Sequence, residues 1–128
     1  MAFVHLHVHS HFSLLDGLAK VPDLINKAKE MGQEAIALTD HGAMYGVIEF
    51  YRAAQAAEIK PIIGAEIYIA PRGMTDKEPK LDTRPYHLTV LAKNQKGYQN
   101  LMKLVSEGHL TGFYYKPRID KALLRKHA

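Results

Sequence analysis

Residues 35–69, AIALTDHGAMYGVIEFYRAAQAAEIKPIIGAEIYI, decide the fold. Ala35 to Thr39 is an apolar run of strand length. Residues 45–57 then repeat Val47, Ile48, Tyr51 and Ala54 at helical spacing, and Lys60 to Ile69 returns to a β-branched pattern. A strand, a helix of about a dozen residues and a second strand make a crossover unit, whose strands run parallel. Upstream, Pro22, Leu24, Ile25, Ala28 and Met31 predict a helix over 22–31 that Gly32 stops. Phe3 to His9 alternates apolar and imidazole side chains and reads as the first strand. Downstream, residues 71–85 are Pro-, Gly- and Lys-rich without periodicity, a loop long enough to suggest function. His87 to Ala92 is the next strand, Asn94 caps a helix ending near Gly108, and a last helix starts at Asp120. The expected architecture is α/β: a parallel sheet with outer helices, open or curled toward a barrel. In such folds chemistry sits at the carboxyl ends of the strands.

The chain has 128 residues, 47% hydrophobic and 23% charged, which suits one domain or a piece of one. No apolar run approaches the roughly 20 residues that span a bilayer. Met1-Ala2-Phe3-Val4-His5 lacks a signal-peptide pattern and there are no cysteines, so the expectation is a cytoplasmic protein without membrane contact. The formal charge of +4 favours an anionic partner. Much of the surplus is Lys116, Arg118, Lys121, Arg125 and Lys126, opposed only by Asp120, and reads as a solvated helix face.

Four of the eight histidines, His5, His7, His9 and His11, fall within the first eleven residues. His7 and His9 are two apart on a strand and share a face, so both can reach one metal. Two histidines alone do not define a site, and the pair also fits ordinary strand residues. Further donors stand where strand ends converge: His41 after Ala35 to Thr39, and Glu66 after Pro61-Ile62-Ile63-Gly64. A carboxylate such as Glu66 can bridge two ions. A mixture of imidazole and carboxylate suits zinc, manganese or iron better than magnesium. Asp16 reads equally as a ligand or as an Asp-Gly turn, and His87 taken alone reads as structural. Asp40 is placed to orient His41 or a neighbour rather than to ligate. His5 is expected to pack, and His11, His109 and His127 to lie on the surface or in loops.

The runs His5-Leu6-His7-Val8-His9-Ser10, Ser13-Leu14-Leu15-Asp16-Gly17, Leu38-Thr39-Asp40-His41-Gly42, Gly64-Ala65-Glu66 and His87-Leu88-Thr89-Val90-Leu91-Ala92-Lys93-Asn94 carry a family resemblance. In order and spacing they resemble the PHP (polymerase and histidinol phosphatase) domain that opens bacterial DNA polymerase III alpha subunits. The resemblance covers essentially the whole chain. It departs at His11-Phe12, where such polymerases tend to carry an acidic residue and a tyrosine. It implies a distorted β/α barrel with up to three metals at its carboxyl end, ligated here by His7, His9, Asp16, His41, Glu66 and His87. Glu66, His9 and Asp40 are the residues expected to serve the chemistry. The family's further His or Cys and its late Asp-x-His pair have no counterpart here, so residues 1–128 are expected to be the N-terminal portion of the domain.

What the resemblance implies functionally is metal-dependent phosphoester hydrolysis of the 3′–5′ exonuclease type within a DNA polymerase, with a DNA 3′ end and other polymerase III subunits as partners. A pyrophosphatase role comes next. A non-catalytic, metal-stabilised docking module and a free-standing phosphatase for small phosphate esters are the alternatives. The flank of an incomplete sheet also predicts self-association.

Overall fold

The computed structural model describes residues 3–14 and 16–128; Met1, Ala2 and Leu15, the last inside the Ser13–Gly17 motif, lie outside the described residues. In chain order the elements are α1 (Val21–Glu30), β1 (Ala35–Leu38), α2 (Val47–Ala56), β2 (Lys60–Ile69), β3 (Tyr86–Leu91), α3 (Gln95–Leu110), β4 (Phe113–Tyr114), β5 (Lys116–Ile119) and α4 (Lys121–His127). Their starts follow from local chemistry. Pro22 sits in the first turn of α1, where its missing N–H costs nothing, and Asp23 complements that end of the helix. Asn94 accepts from the Gly97 N–H at 3.0 Å, and Asp120 accepts from the Leu123 N–H at 2.8 Å, capping α3 and α4 as expected.

β1 and β2 pair in parallel from Ala35↔Lys60 to Leu38↔Ile63, with α2 as the crossover. β5 also joins β2 in parallel, through Tyr68↔Arg118 and Ile69↔Ile119. The expectation of a wholly parallel sheet fails at β3, which runs antiparallel to β2 from Gly64↔Leu91 to Ile69↔Tyr86. The cause lies in the connection: residues 70–85 contain no helix, and a strand re-entering a sheet without a crossover helix comes back in the opposite direction. The short β4 and β5, absent from the sequence reading, form a tight antiparallel pair about Tyr115, whose φ is 57°.

The period of two along β2 separates core from cleft. Ala65, Ile67 and Ile69 are buried with Leu101 and Leu104 of α3 and Ile119 of β5. Glu66 and Tyr68 therefore point to the opposite face. A second core joins Val21, Ile25 and Ala28 of α1 to Ile36 and Leu38 of β1 and to Phe50 and Ala54 of α2. Each such Ile, Leu or Phe contributes about 1.5–3 kcal/mol on burial, so both helices are fixed by their apolar faces more than by propensity.

Phe3 to His9 is extended beside β1 but is not a regular strand. The Ala37 N–H donates to the His5 carbonyl at 2.9 Å and the Thr39 N–H to the Val8 carbonyl at 2.8 Å. Three residues on one side thus oppose two on the other, as in a bulge. The Thr39 hydroxyl then accepts the Val8 N–H at 2.9 Å, a bond that a ladder would have given to backbone.

The long loop is held from within. Asp82, fully buried, accepts from Arg72 Nη2 at 2.6 Å and from the Glu78 N–H at 2.8 Å. Arg118, also fully buried, donates to the carbonyls of Gly112, Asp82, Met74 and Asp76 at 2.8–3.1 Å. Its charge is met by four backbone acceptors. The expectation of a solvated basic run is corrected at this residue.

Candidate metal centre

All six side chains expected as ligands meet in one place. His9 Nε2 lies 2.7 Å from Glu66 Oε2, and His7 Nε2 contacts the same oxygen. His87 Nδ1 lies 2.6 Å from Glu66 Oε1. Beside them His41 Nε2 is 2.7 Å from Asp16 Oδ2, and the His9 and His41 rings are 4.1 Å apart. Three donor groups emerge: His7, His9 and Glu66; His9, Asp16 and His41; His41, Glu66 and His87. Any two of them share a residue, so the cluster is continuous.

Each of these side chains has a structural reason to be there. Tyr68 pairs with His87 across the β2–β3 ladder, so the two side chains project from the same face as Glu66. His41 continues β1 and makes a single parallel bridge to Glu66. Gly17 closes the turn that presents Asp16; a Cβ there would stand 1.8 Å from the Ser10 carbonyl oxygen, so no other residue fits. Asp16 is thus both things the sequence left open, turn residue and cluster member.

Asp40 lies behind the cluster, 2% exposed. Its carboxylate accepts from the Ser10 N–H at 2.7 Å and from the hydroxyls of Ser10 and Ser13, both at 2.8 Å. The Ser13 hydroxyl in turn accepts the His41 N–H at 3.1 Å. Asp40 therefore braces the segment between His9 and Asp16 and touches the His41 backbone only through Ser13. Ser10 and Ser13 escaped the sequence reading because a serine becomes legible only once its buried acceptor is known.

Burial alone pushes the Glu66 carboxyl up, but hydrogen bonds from His7, His87 and His9 and the proximity of His41 outweigh it and hold the group at about 2 against an ordinary 4.5. Asp16 is lowered too, chiefly by the hydrogen bond from His41. The phenol of Tyr68 is pushed up by burial and by the charges of Glu66 and Asp16. Carboxylates kept ionised among imidazoles are a donor set that suits a divalent metal ion. One orphan fits as well: His41 Nδ1 is buried without a hydrogen-bond partner and faces Glu66 Oε2 at 3.8 Å.

A cleft of about 400 Å³ opens on the cluster, lined by Asp16, His41 and His87 together with Tyr45, Tyr68 and Lys116. A larger groove of about 620 Å³, between Val47, Tyr51, Ile62, Leu91 and Tyr98, contains no histidine or carboxylate and is remote in chemistry from the cluster. The remaining histidines stay out of it. His5 packs edge-on against Phe3 and His11 lies in a turn against Phe12. His109 is corrected from a surface or loop residue: it belongs to α3, half-buried, with Nε2 2.8 Å from the Gly42 carbonyl. His127 ends α4.

The fold and site are those of an α/β protein whose sheet carries a histidine–carboxylate cluster with the spacing of metal donors. The chain belongs to the PHP family: residues 5–128 match the PHP domain. It is 54% identical over 129 residues to the DNA polymerase III subunit alpha of Treponema pallidum and 51% identical over 132 residues to that of Thermus aquaticus, covering 100% of this chain and 11% of each relative. The chain thus spans about a tenth of the length of the curated relatives it matches. Two solved structures share the fold at a TM-score of 0.54: an amidohydrolase from Chromobacterium violaceum at 22% identity and a protein assigned as a metal-dependent phosphoesterase from Bifidobacterium adolescentis at 18%. Each match covers 81% of this chain and 34% of the other. No described helix is long and apolar enough to cross a membrane.

Proposed function

We propose that these residues form the greater part of a PHP metal centre that hydrolyses phosphodiesters at the 3′ end of a DNA strand, as part of a cytoplasmic replicative polymerase of the kind its relatives are. The observation that carries this reading is Glu66, whose Oε2 faces His7 and His9 while Oε1 faces His87. A carboxylate with both oxygens directed at separate imidazole groups would be able to serve more than one ion. His7, His9, Asp16, His41, Glu66 and His87 would hold zinc, manganese or iron, with His9, His41 and Glu66 each belonging to two of the three donor groups. When bound, such ions supply Lewis acidity toward a phosphoryl oxygen and a water of lowered pKa. The chain supplies placement. Asp40 fixes Ser10 and Ser13, and with them the segment that presents His9 and Asp16. Tyr68 walls the cleft between His41 and His87.

The test is turnover of a 3′-labelled oligonucleotide, beside a small phosphomonoester, by the chain supplied with manganese or zinc. The expected result is metal-dependent release of 3′ nucleotides, abolished by His9→Ala. Metal binding without turnover on either substrate would replace this reading with that of a metal-stabilised brace, and faster hydrolysis of the monoester would point to a small-ester phosphatase.

A further inference from the structure

Lys116 opens β5, half-buried, and its ammonium stands 5.5 Å from the centre of the Tyr68 ring. It pairs with no carboxylate among the described residues, unlike Lys27 and Arg72. It is also the one lysine or arginine among the described residues lining the 400 Å³ cleft. His109, which also lines the cleft, has its Nε2 committed to the Gly42 carbonyl at 2.8 Å. Tyr68 is 5% exposed, and its hydroxyl makes no hydrogen bond to another described residue. Its ring is 6.0 Å from that of His41, nearly parallel at 16°, and 4.9 Å from that of His87 at 90°. An unpaired cation and a phenol free of protein hydrogen bonds thus share a wall with three of the six ligand candidates.

The wall is built rather than incidental. Gly42, at φ +58°, packs where a Cβ would fall 2.7 Å from Pro117 Cγ and 2.9 Å from Tyr68 Cε2, so the segment after His41 closes directly onto both residues. Two positions beyond Lys116, Arg118 ties β5 to four backbone carbonyls. Lys116 therefore leaves a fixed backbone, and the entropy lost when its ammonium engages an anion is confined to its own side chain.

We propose that Lys116 and Tyr68 form the phosphoryl-oxygen pocket of this centre, the ammonium and the phenol hydroxyl donating to non-bridging oxygens of a phosphate ester presented to the ligand cluster. This deepens the hydrolytic reading above and rests on it for the identity of the ester. The binding chemistry itself needs only a phosphate. An ammonium is a charge-assisted donor and a neutral phenol a second one, so together they can serve two non-bridging oxygens of one phosphate. Both are positioning residues: they touch the substrate's oxygens and leave proton transfer to others.

The experiment is calorimetric titration of the purified chain with inorganic phosphate, for the wild type and for Lys116→Ala, Lys116→Met, Lys116→Arg and Tyr68→Phe, with the metal content of each measured in parallel. Lys116→Met keeps an unbranched side chain of similar length and so separates charge from packing. Both neutral lysine variants should bind phosphate about 10-fold or more weakly at unchanged zinc content, Lys116→Arg should stay within about threefold, and Tyr68→Phe should fall between them. Phosphate affinity unchanged in Lys116→Met, or no phosphate binding by the wild type at millimolar concentration, overturns the proposal. A wild type that binds phosphate through Lys116 but takes up no zinc, manganese or iron would refute the metal reading and leave the pocket standing.

Discussion

Glu66 Oε2 lies 2.7 Å from Nε2 of His9, a residue 57 positions earlier in the chain. That contact ties the N-terminal segment to the central strand, and it defines what Glu66 does: its charge, more than its shape, holds the imidazoles together. Glu66→Gln keeps the shape and removes the charge. We expect it to lower metal affinity by more than the roughly 10–100-fold that loss of an outer-shell partner costs, as read by competition with a zinc chelator. Retention of affinity within threefold would remove Glu66 from the ligand set.

Asp40 accepts three hydrogen bonds from Ser10 and Ser13 while 2% exposed. Asp40→Ala leaves those donors without a partner and frees the segment carrying His9 and Asp16. The expected cost is about 2–4 kcal/mol in urea denaturation, with metal affinity down about 10–100-fold because the ligands lose their orientation. Serine variants should reproduce the effect in part. A destabilisation without loss of metal affinity would reduce Asp40 to a packing role.

Part of the centre was legible because Asp40-His41 follows a strand end, whereas Glu66, expected to follow one, lies within β2 and His87 near the start of β3. Asp40-His41 after β1 and Glu66 within β2 could be placed from apolar periodicity, and the period of two then put His7 with His9. Applied one step further, the same rule would have found Tyr68, which shares a face with Glu66. The first strand failed for a reason no periodicity carries: the Thr39 hydroxyl takes the Val8 N–H, and an extra residue breaks the register. The direction of β3 was hidden because it depends on what residues 70–85 lack. Arg118 could not be read as buried, since its partners are carbonyls of a loop without pattern.

That burial predicts a strong effect at a residue outside the donor set. Arg118→Met removes the charge and leaves the carbonyls of Gly112, Asp82, Met74 and Asp76 to find water. We expect a loss of about 3 kcal/mol and new proteolytic cleavage within residues 71–85, seen in a urea titration and a limited digest. Wild-type resistance in the loop would mean that Asp82 alone holds it.

Asp82 makes the loop sensitive to acid. The hydrogen bond from Arg72 holds its carboxyl below the ordinary 3.8, against burial, with help from the Glu78 N–H. A lowered carboxyl contributes its stabilisation fully above its unfolded value, so the contribution is complete above pH 3.8 and is lost as pH falls through the folded value. Asp82→Asn should therefore be less stable than wild type at neutral pH, with the gap narrowing only below pH 3.8. A gap that is constant from neutral pH down to pH 2 would show that the charge is not what holds the loop.

The central claim is that His7, His9, Asp16, His41, Glu66 and His87 assemble a metal site. Elemental analysis of the purified, tag-free chain against a His9→Ala, Glu66→Ala double variant tests it most directly. The predicted result is zinc, manganese or iron at or above one equivalent in the wild type and none in the variant. Equal, sub-stoichiometric metal in both, with both chains folded, would contradict it.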